Sequence, residues 1–231
     1  MWFYKIKMSN FILATLYTEG TTDLRFLNSV VERTLEQLAY DCSGDIETRL
    51  ELINFDKTGM SFIDQVLQAS RVSSSKYSSL ILFVHTDSDH DNDSKVFETK
   101  IIPAINYLKI QTESICKHIV AIVPIQMTES WMIADKELLK SEIGVENSDS
   151  ELGIHSNPEI INNPKNVIEN IIRISKEDLT KRKRNKGLDI SDLYQIIGQK
   201  INLSELEKLS SYNKFKQSLI EKLKELNFYH K

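Results

Sequence analysis

The sequence predicts an α/β fold in which helices cover both faces of a mostly parallel sheet, followed by a small all-helical C-terminal part. Three features indicate this class. Four segments have the length of strands, and those at 11–18, 79–86 and 118–125 are apolar without regular alternation with polar residues, which is typical of strands buried on both faces. Segments with apolar residues at three- and four-residue spacing stand between these runs, as in helices that connect parallel strands. After about residue 144 only helical patterns follow.

The predicted elements alternate along the first part of the chain. The helical periodicity is clearest after the first strand, where Leu24, Leu27, Val31, Leu35 and Leu38 fall on one face. Strands are expected at 11–18, 49–55, 79–86 and 118–125. Helices are expected at 21–40, 61–70, 96–110 with an interruption at Pro103, and 129–144. These elements predict an α/β domain over residues 9–144.

The second part of the chain differs in composition and has no strand patterns. Residues 145–164 are polar and rich in turn-forming residues, which predicts a long loop or linker. The next segment, 164–187, is helical at its start and basic at its end, and further helical patterns cover 190–201 and 215–226. We therefore expect a helical C-terminal subdomain over residues 164–231.

Composition bears on the partners and the compartment of the protein. The 231 residues include 29 Lys and Arg and 33 Asp and Glu, so the net charge of −4 gives no general attraction to nucleic acid, although a local basic patch still can. No apolar run approaches the roughly 18 residues of a membrane span, so no membrane partner is expected. Two cysteines without metal-type spacing, Cys42 and Cys116, favour a reducing compartment, and we expect a cytoplasmic protein.

Acidic residues follow three of the predicted strands. Glu19 comes after the first strand, Asp87 and Asp89 come after the third, and Glu129 comes after the fourth. Sites in parallel sheets form at the carboxyl ends of the strands, so these acids are expected to meet in one crevice. Two carboxylates at a spacing of two can bind one hard cation, and carboxylates with open water positions suit Mg²⁺ or Mn²⁺.

The acidic segment after the third strand is also compatible with two structures of a different kind. Its composition is typical of a solvated acidic loop. Asp87, Asp89, Asp91 and Glu98 match the ligand spacing of an EF-hand calcium loop, but Asn92 stands where that loop has glycine, and a strand precedes the loop instead of a helix.

Two acidic motifs together resemble the TOPRIM (topoisomerase–primase) domain. That family has a glutamate in an E-G context after its first strand and an Asp-x-Asp after a later strand; here these are Glu19-Gly20 and Asp87-Ser88-Asp89. The additional Asp23 resembles the acid-rich variant found in nucleases of the OLD (overcoming lysogenisation defect) type. The resemblance implies a compact Rossmann-like TOPRIM domain that binds Mg²⁺ or Mn²⁺.

The chain also resembles a family of small bacterial TOPRIM-like proteins encoded beside an ABC-type ATPase. The shared features are Pro124 with the segment "TESWMIAD", which contains Glu129, then Pro164-Lys165, a basic stretch, and a closing helix around 215–219. No P-loop motif occurs in the chain, so any ATPase would be a separate partner. The resemblance implies a nuclease subunit that works with such an ATPase, with a role in anti-phage defence.

The resemblance also implies roles for individual residues. Glu19, Asp87 and Asp89 would hold the metal, with Glu19 as ligand or general base. Asp23, Asp91 and Glu129 could complete a second metal site for two-metal phosphodiester hydrolysis. Lys165, or a residue of the basic run over 181–186, would neutralise charge on the phosphate during the reaction.

A cluster of basic residues is the predicted contact with DNA or RNA. Its members are Lys181, Arg182, Lys183, Arg184 and Lys186. Such a run is also typical of solvated surface. The alternative for the whole chain is a non-catalytic regulatory or adaptor subunit that binds a partner ATPase and a metal or nucleotide.

Overall fold

The computed structural model describes residues 10–42, 45–176 and 187–229. It has an α/β fold, as the sequence predicts. Four strands form one sheet in the order β2–β1–β3–β4, and every neighbouring pair is parallel. The strands are β1 (Asn10–Tyr17), β2 (Ile46–Ile53), β3 (Ile81–His85) and β4 (Ile119–Ile122).

Helices connect the strands and cover both faces of the sheet. In the first part of the chain they are α1 (Thr21–Tyr40), α2 (Phe62–Tyr77), α3 (Ser94–Val96), a π-helix (Phe97–Ile101), α4 (Ile102–Ile110), α5 (Thr128–Ala134) and α6 (Lys136–Ile143). Further along they are α7 (Asp149–Leu152), a 3₁₀ helix (Pro158–Ile160), α8 (Pro164–Ser175), α9 (Ile190–Lys200), α10 (Leu203–Leu206) and α11 (Ser210–Glu225).

Several predicted elements have other bounds in the structure, as α2 does by extending to Tyr77, and three differ in kind. The interruption predicted at Pro103 takes the form of a π-helix over Phe97–Ile101, after which α4 continues the helical segment with Pro103 in its first turn. The helix predicted at 129–144 is broken at Asp135, whose side chain accepts a hydrogen bond from the N–H of Leu138 and so starts α6. The predicted linker over 145–164 contains α7 and a 3₁₀ turn.

The two faces of the sheet bury different cores. One face packs apolar residues of the strands against α1, α5, α8, α9 and α11 in a single large core. This core includes Trp131, which is fully buried, and Phe215 and Tyr212, which contact its ring. The other face packs against α2 and α4. The predicted helical subdomain therefore shares one hydrophobic core with the sheet.

Among the described residues, no helix combines the length and the apolar character that crossing a bilayer requires.

Candidate metal centre

Ligand atoms of Asp23, His85 and Asp87 lie within 4.8 Å of one another at the carboxyl edge of the sheet. Asp23 belongs to the first turn of α1, and His85 is the last residue of β3. The strand register explains their meeting, because Tyr17 at the end of β1 pairs with Val84 near the end of β3. No second group of this kind occurs in the described parts of the chain.

Asp87 is held in place by the start of α5. Its Oδ1 accepts hydrogen bonds from the N–H of Thr128 at 2.9 Å and from the hydroxyl of Thr128 at 3.2 Å. The same oxygen lies 3.2 Å from Nε2 of His85. Because Thr128 begins a helix, its N–H has no partner within that helix, and Asp87 supplies one. The carboxylate is therefore oriented before any ligand binds.

His85 is fully buried and only partly satisfied. Its Nε2 lies 3.1 Å from the hydroxyl of Thr128 as well as close to Asp87, whereas Nδ1 is buried and has no hydrogen-bond partner in the described structure. Burial alone lowers the pKa of His85, but the neighbouring carboxylates of Asp87, Asp23 and Glu19 outweigh it and raise the pKa. A buried ring nitrogen without a partner is uncommon in folded proteins.

Asp23 depends on the glycine that precedes its helix. A Cβ atom at Gly20 would lie 2.2 Å from Oδ2 of Asp23, so glycine leaves the space that this carboxylate occupies. Burial is the largest cause that raises the pKa of Asp23, and the charge of Asp87 adds to it, while His85 opposes both. The metal-free group therefore contains mutual repulsion that a cation would relieve.

Glu19 lies beside this group in a network of its own. The hydroxyl of Thr86 donates to Oε2 of Glu19, and Nζ of Lys100 lies 3.4 Å from Oε1. Nζ of Lys57 donates to the main-chain carbonyls of Thr18 and Glu19 at 2.8 and 2.7 Å. Lys57 thus fixes the main chain that follows β1, and Lys100 brings a positive charge to the crevice. The sequence marks neither lysine.

Glu129 is buried on α5, where the hydroxyl of Tyr194 donates to its Oε1. Burial raises the pKa of Glu129 most strongly, and Asp87 and Asp23 raise it further. Glu129 therefore stands close enough to the group to interact with its charges, although it is not one of the three clustered ligands.

The acidic segment after β3 does not act as a unit. Asp89 and Asp91 are exposed and lie outside the clustered group. Asp93 is buried and accepts from Nζ of Lys214 at 2.6 Å, which ties the segment to α11. The segment does not have the structure of an EF-hand loop, because the strand β3 precedes it where an EF-hand has a helix, and Glu98 lies in the π-helix.

Main-chain pairing sets the course of this segment. The N–H of Ser88 donates to the carbonyl of Pro124, that of Asp89 to Gln126, and that of Gln126 to His90. Asp89 and Gln126 both have left-handed backbones, with φ of 54° and 62°, which is uncommon for residues other than glycine. These bonds extend the pairing of β3 and β4 beyond the sheet and leave Asp89 facing solvent.

The remaining predicted residues lie elsewhere. Lys165 is exposed at the start of α8, where it interacts electrostatically with Asp189. The predicted nucleic-acid contacts, Lys181, Arg182, Lys183, Arg184 and Lys186, lie outside the described residues.

Nearly the whole chain matches one protein family. A family model described as a domain of unknown function, DUF4276, matches residues 18–219. The chain belongs to the DUF4276 family. Comparisons with curated proteins and with solved structures gave no match. The DUF4276 match includes the clustered group, both flanking glutamates, helices α8 to α10 and the part of α11 up to residue 219.

Sequence reasoning missed two groups of this DUF4276 site. His85 ends an apolar run two positions before Asp87, which is a signal that could have found it, but an isolated histidine at a strand end is also typical of a satisfied core residue. Lys57 and Lys100 carry no motif, and only the tertiary structure brings them to Glu19.

Proposed function

We propose that this chain is a divalent-metal-dependent phosphodiesterase of the nuclease type, resembling the TOPRIM domain and acting on DNA or RNA. The observation that carries the proposal is the group of Asp23, His85 and Asp87, whose ligand atoms lie within 4.8 Å at the carboxyl edge of a parallel sheet. This edge is where α/β proteins of this kind bind ligands.

The donor set fits a divalent cation. It offers two carboxylates and one imidazole, and the repulsion between Asp23 and Asp87 gives a cation a favourable electrostatic site. Of Mg²⁺ and Mn²⁺, the imidazole nitrogen favours Mn²⁺, because Mg²⁺ binds mainly oxygen ligands. When bound, the cation supplies activation of water or stabilisation of the leaving oxygen of a phosphodiester.

The surrounding residues bind and orient the reacting groups. Glu19 faces the crevice with Thr86 and Lys100 fixing its carboxylate, so it is suited to hold a second cation or to accept a proton from water. Lys100 is suited to neutralise a phosphate oxygen, the role that the resemblance assigned to Lys165. Lys100 is the better candidate because its Nζ already lies beside Glu19.

The substrate and the partner follow from the resemblance. A nucleic acid would be held by the basic run over 181–186, through its backbone, because no aromatic residue interrupts the run to stack a base. A separate ABC-type ATPase would control access to the site, and anti-phage defence is the biological role that we propose.

The test is hydrolysis of labelled single- and double-stranded DNA and RNA by the purified protein in Mn²⁺ or Mg²⁺, with and without an ABC-type ATPase encoded beside it. Asp87→Asn should abolish cleavage, and Asp91→Asn, which changes an exposed carboxylate of the same segment, should retain it. Saturable metal binding without cleavage under any of these conditions would favour the non-catalytic adaptor instead.

A further inference from the structure

A tyrosine from the C-terminal helices reaches the candidate metal centre. The hydroxyl of Tyr194, on α9, donates to Oε1 of Glu129, and both side chains are buried. We infer that Tyr194 is a positioning residue that holds the Glu129 carboxylate beside the group of Asp23, His85 and Asp87, so that α9 supports a fourth acidic side chain at the cation site. This inference rests on the proposed function and goes beyond it by assigning the C-terminal helices a part in the site.

Glu129 needs such a partner. It lies on α5 with 4% of its surface exposed, directly after Thr128, whose N–H and hydroxyl both donate to Oδ1 of Asp87. The charges of Asp87 and Asp23 also raise the pKa of Glu129. A buried carboxylate beside two others is repelled by them and is held by hydrogen bonds or by a cation. The hydroxyl of Tyr194 occupies one of its oxygens, which restricts rotation of the carboxylate.

The position of Tyr194 is itself set by a close helix contact. A Cβ atom at Gly198 would lie 2.5 Å from the carbonyl oxygen of Phe26, so α9 approaches the backbone of α1 as only glycine permits. Gly198 stands one turn after Tyr194, and Phe26 stands about one turn after Asp23. This contact therefore fixes Tyr194 relative to the ligand that α1 provides.

Tyr212 offers a matched control. It is a second buried tyrosine, on α11, whose hydroxyl hydrogen-bonds to Oγ1 of Thr34 at 2.8 Å. Tyr194→Phe and Tyr212→Phe each delete one buried hydroxyl that has one side-chain partner. Both variants should remain folded, with the larger loss of thermal stability in Tyr194→Phe, because its hydroxyl bonds to a carboxylate and that of Tyr212 bonds to a neutral hydroxyl. Only Tyr194→Phe should weaken binding to a cation.

The experiment is calorimetric titration of the full chain with Mn²⁺, well below the melting temperature. We expect Tyr194→Phe to weaken the affinity by about tenfold or more, as loss of a group that orients a ligand does, and Tyr212→Phe to stay within about twofold of the parent. Parent affinity in Tyr194→Phe, or equal weakening in both variants, would overturn the inference and leave the metal site standing. Absence of saturable binding in the parent would overturn the metal site as well.

A double-mutant cycle tests whether Tyr194 acts through Glu129. Glu129→Gln keeps an oxygen for the tyrosine hydroxyl and removes the charge. If Tyr194 acts as inferred, Tyr194→Phe in the Glu129→Gln background should change Mn²⁺ affinity by less than about twofold. A full tenfold loss in that background would show that the tyrosine acts by another route and would contradict the inference.

Discussion

Replacing Asp23 with asparagine should stabilise the metal-free protein and destabilise the metal-bound protein relative to the parent. Ligand oxygens of Asp23 and Asp87 lie within 4.8 Å. At that distance two unit charges repel by about 1 kcal/mol in water and about 3.5 kcal/mol at an effective dielectric constant of 20. Because Asp23 is partly exposed and His85 offsets part of the repulsion, we expect a gain of about 1 kcal/mol in the free energy of unfolding for Asp23→Asn.

Mn²⁺ should make the parent more stable than Asp23→Asn. At a concentration one hundred times its dissociation constant, a cation that binds only the folded state adds about 2.7 kcal/mol to the parent, a rise of about 5–11 °C in melting temperature for a chain of this size. A variant that binds a hundredfold more weakly gains only about 0.4 kcal/mol at the same concentration. The parent should then be the more stable protein by about 1.3 kcal/mol.

The pH dependence of the metal-free proteins follows from the pKa of Asp23. Burial raises this pKa in the folded state, so the folded protein binds the proton more tightly than the unfolded chain does. The parent therefore has no disadvantage below the unfolded pKa of about 4 and loses stability relative to Asp23→Asn as the pH rises through the folded-state pKa.

The assay is urea unfolding at pH 7 in EDTA and in Mn²⁺, with Asp91→Asn as the control for removing an exposed acid from the same edge of the molecule. That control should follow the parent under both conditions. A loss of stability for Asp23→Asn in EDTA would mean that Asp23 has a structural role. Equal stabilisation of both proteins by Mn²⁺ would refute the assignment of Asp23 as a ligand.

Two further substitutions test the position of Asp23 and the contact between the acidic segment and α11. Gly20→Ala should displace the Asp23 carboxylate, because the added Cβ atom would lie 2.2 Å from Oδ2 of Asp23. We expect Mn²⁺ binding to weaken at least tenfold, with little change in the melting temperature measured in EDTA. Unchanged Mn²⁺ affinity in the titration would contradict this. Lys214→Met should lower the free energy of unfolding in urea by about 1–3 kcal/mol, because it leaves the buried carboxylate of Asp93 without the lysine that pairs with it. Lys208→Met removes one member of an exposed ion pair and should lower it by less than about 1 kcal/mol. Equal costs for the two lysines would indicate that water replaces Lys214 fully.

The fold was largely predictable because three of its four strands, β1, β3 and β4, are unusually apolar. Residues of β3 and β4 are buried along their whole length, so hydrophobicity alone marked them and implied cover on both faces. The sequence indicated an interruption at Pro103 but did not reveal its form, which is a π-helix directly before the first turn of α4. The contribution of C-terminal helices to the sheet's core is a long-range property that local patterns do not encode.

The candidate site was predictable only in part. Parallel topology was enough to expect Glu19, Asp87 and Glu129 at one edge. Regular spacing of the aspartates after β3 suggested a shared role, but an irregular segment gives each side chain different surroundings. Asp87 therefore joins Asp23 and His85, while Asp89 faces solvent.

Binding of one cation by Asp23, His85 and Asp87 together is tested most directly by electron spin-echo spectroscopy of the Mn²⁺-loaded protein. Nitrogen-14 of a bound imidazole modulates the echo, whereas carboxylates do not. We predict nitrogen modulation in the parent and in His90→Ala, whose histidine is exposed in the same segment, and its loss in His85→Ala. Saturable Mn²⁺ binding without nitrogen modulation in the parent would contradict the claim and indicate a site made of carboxylates alone.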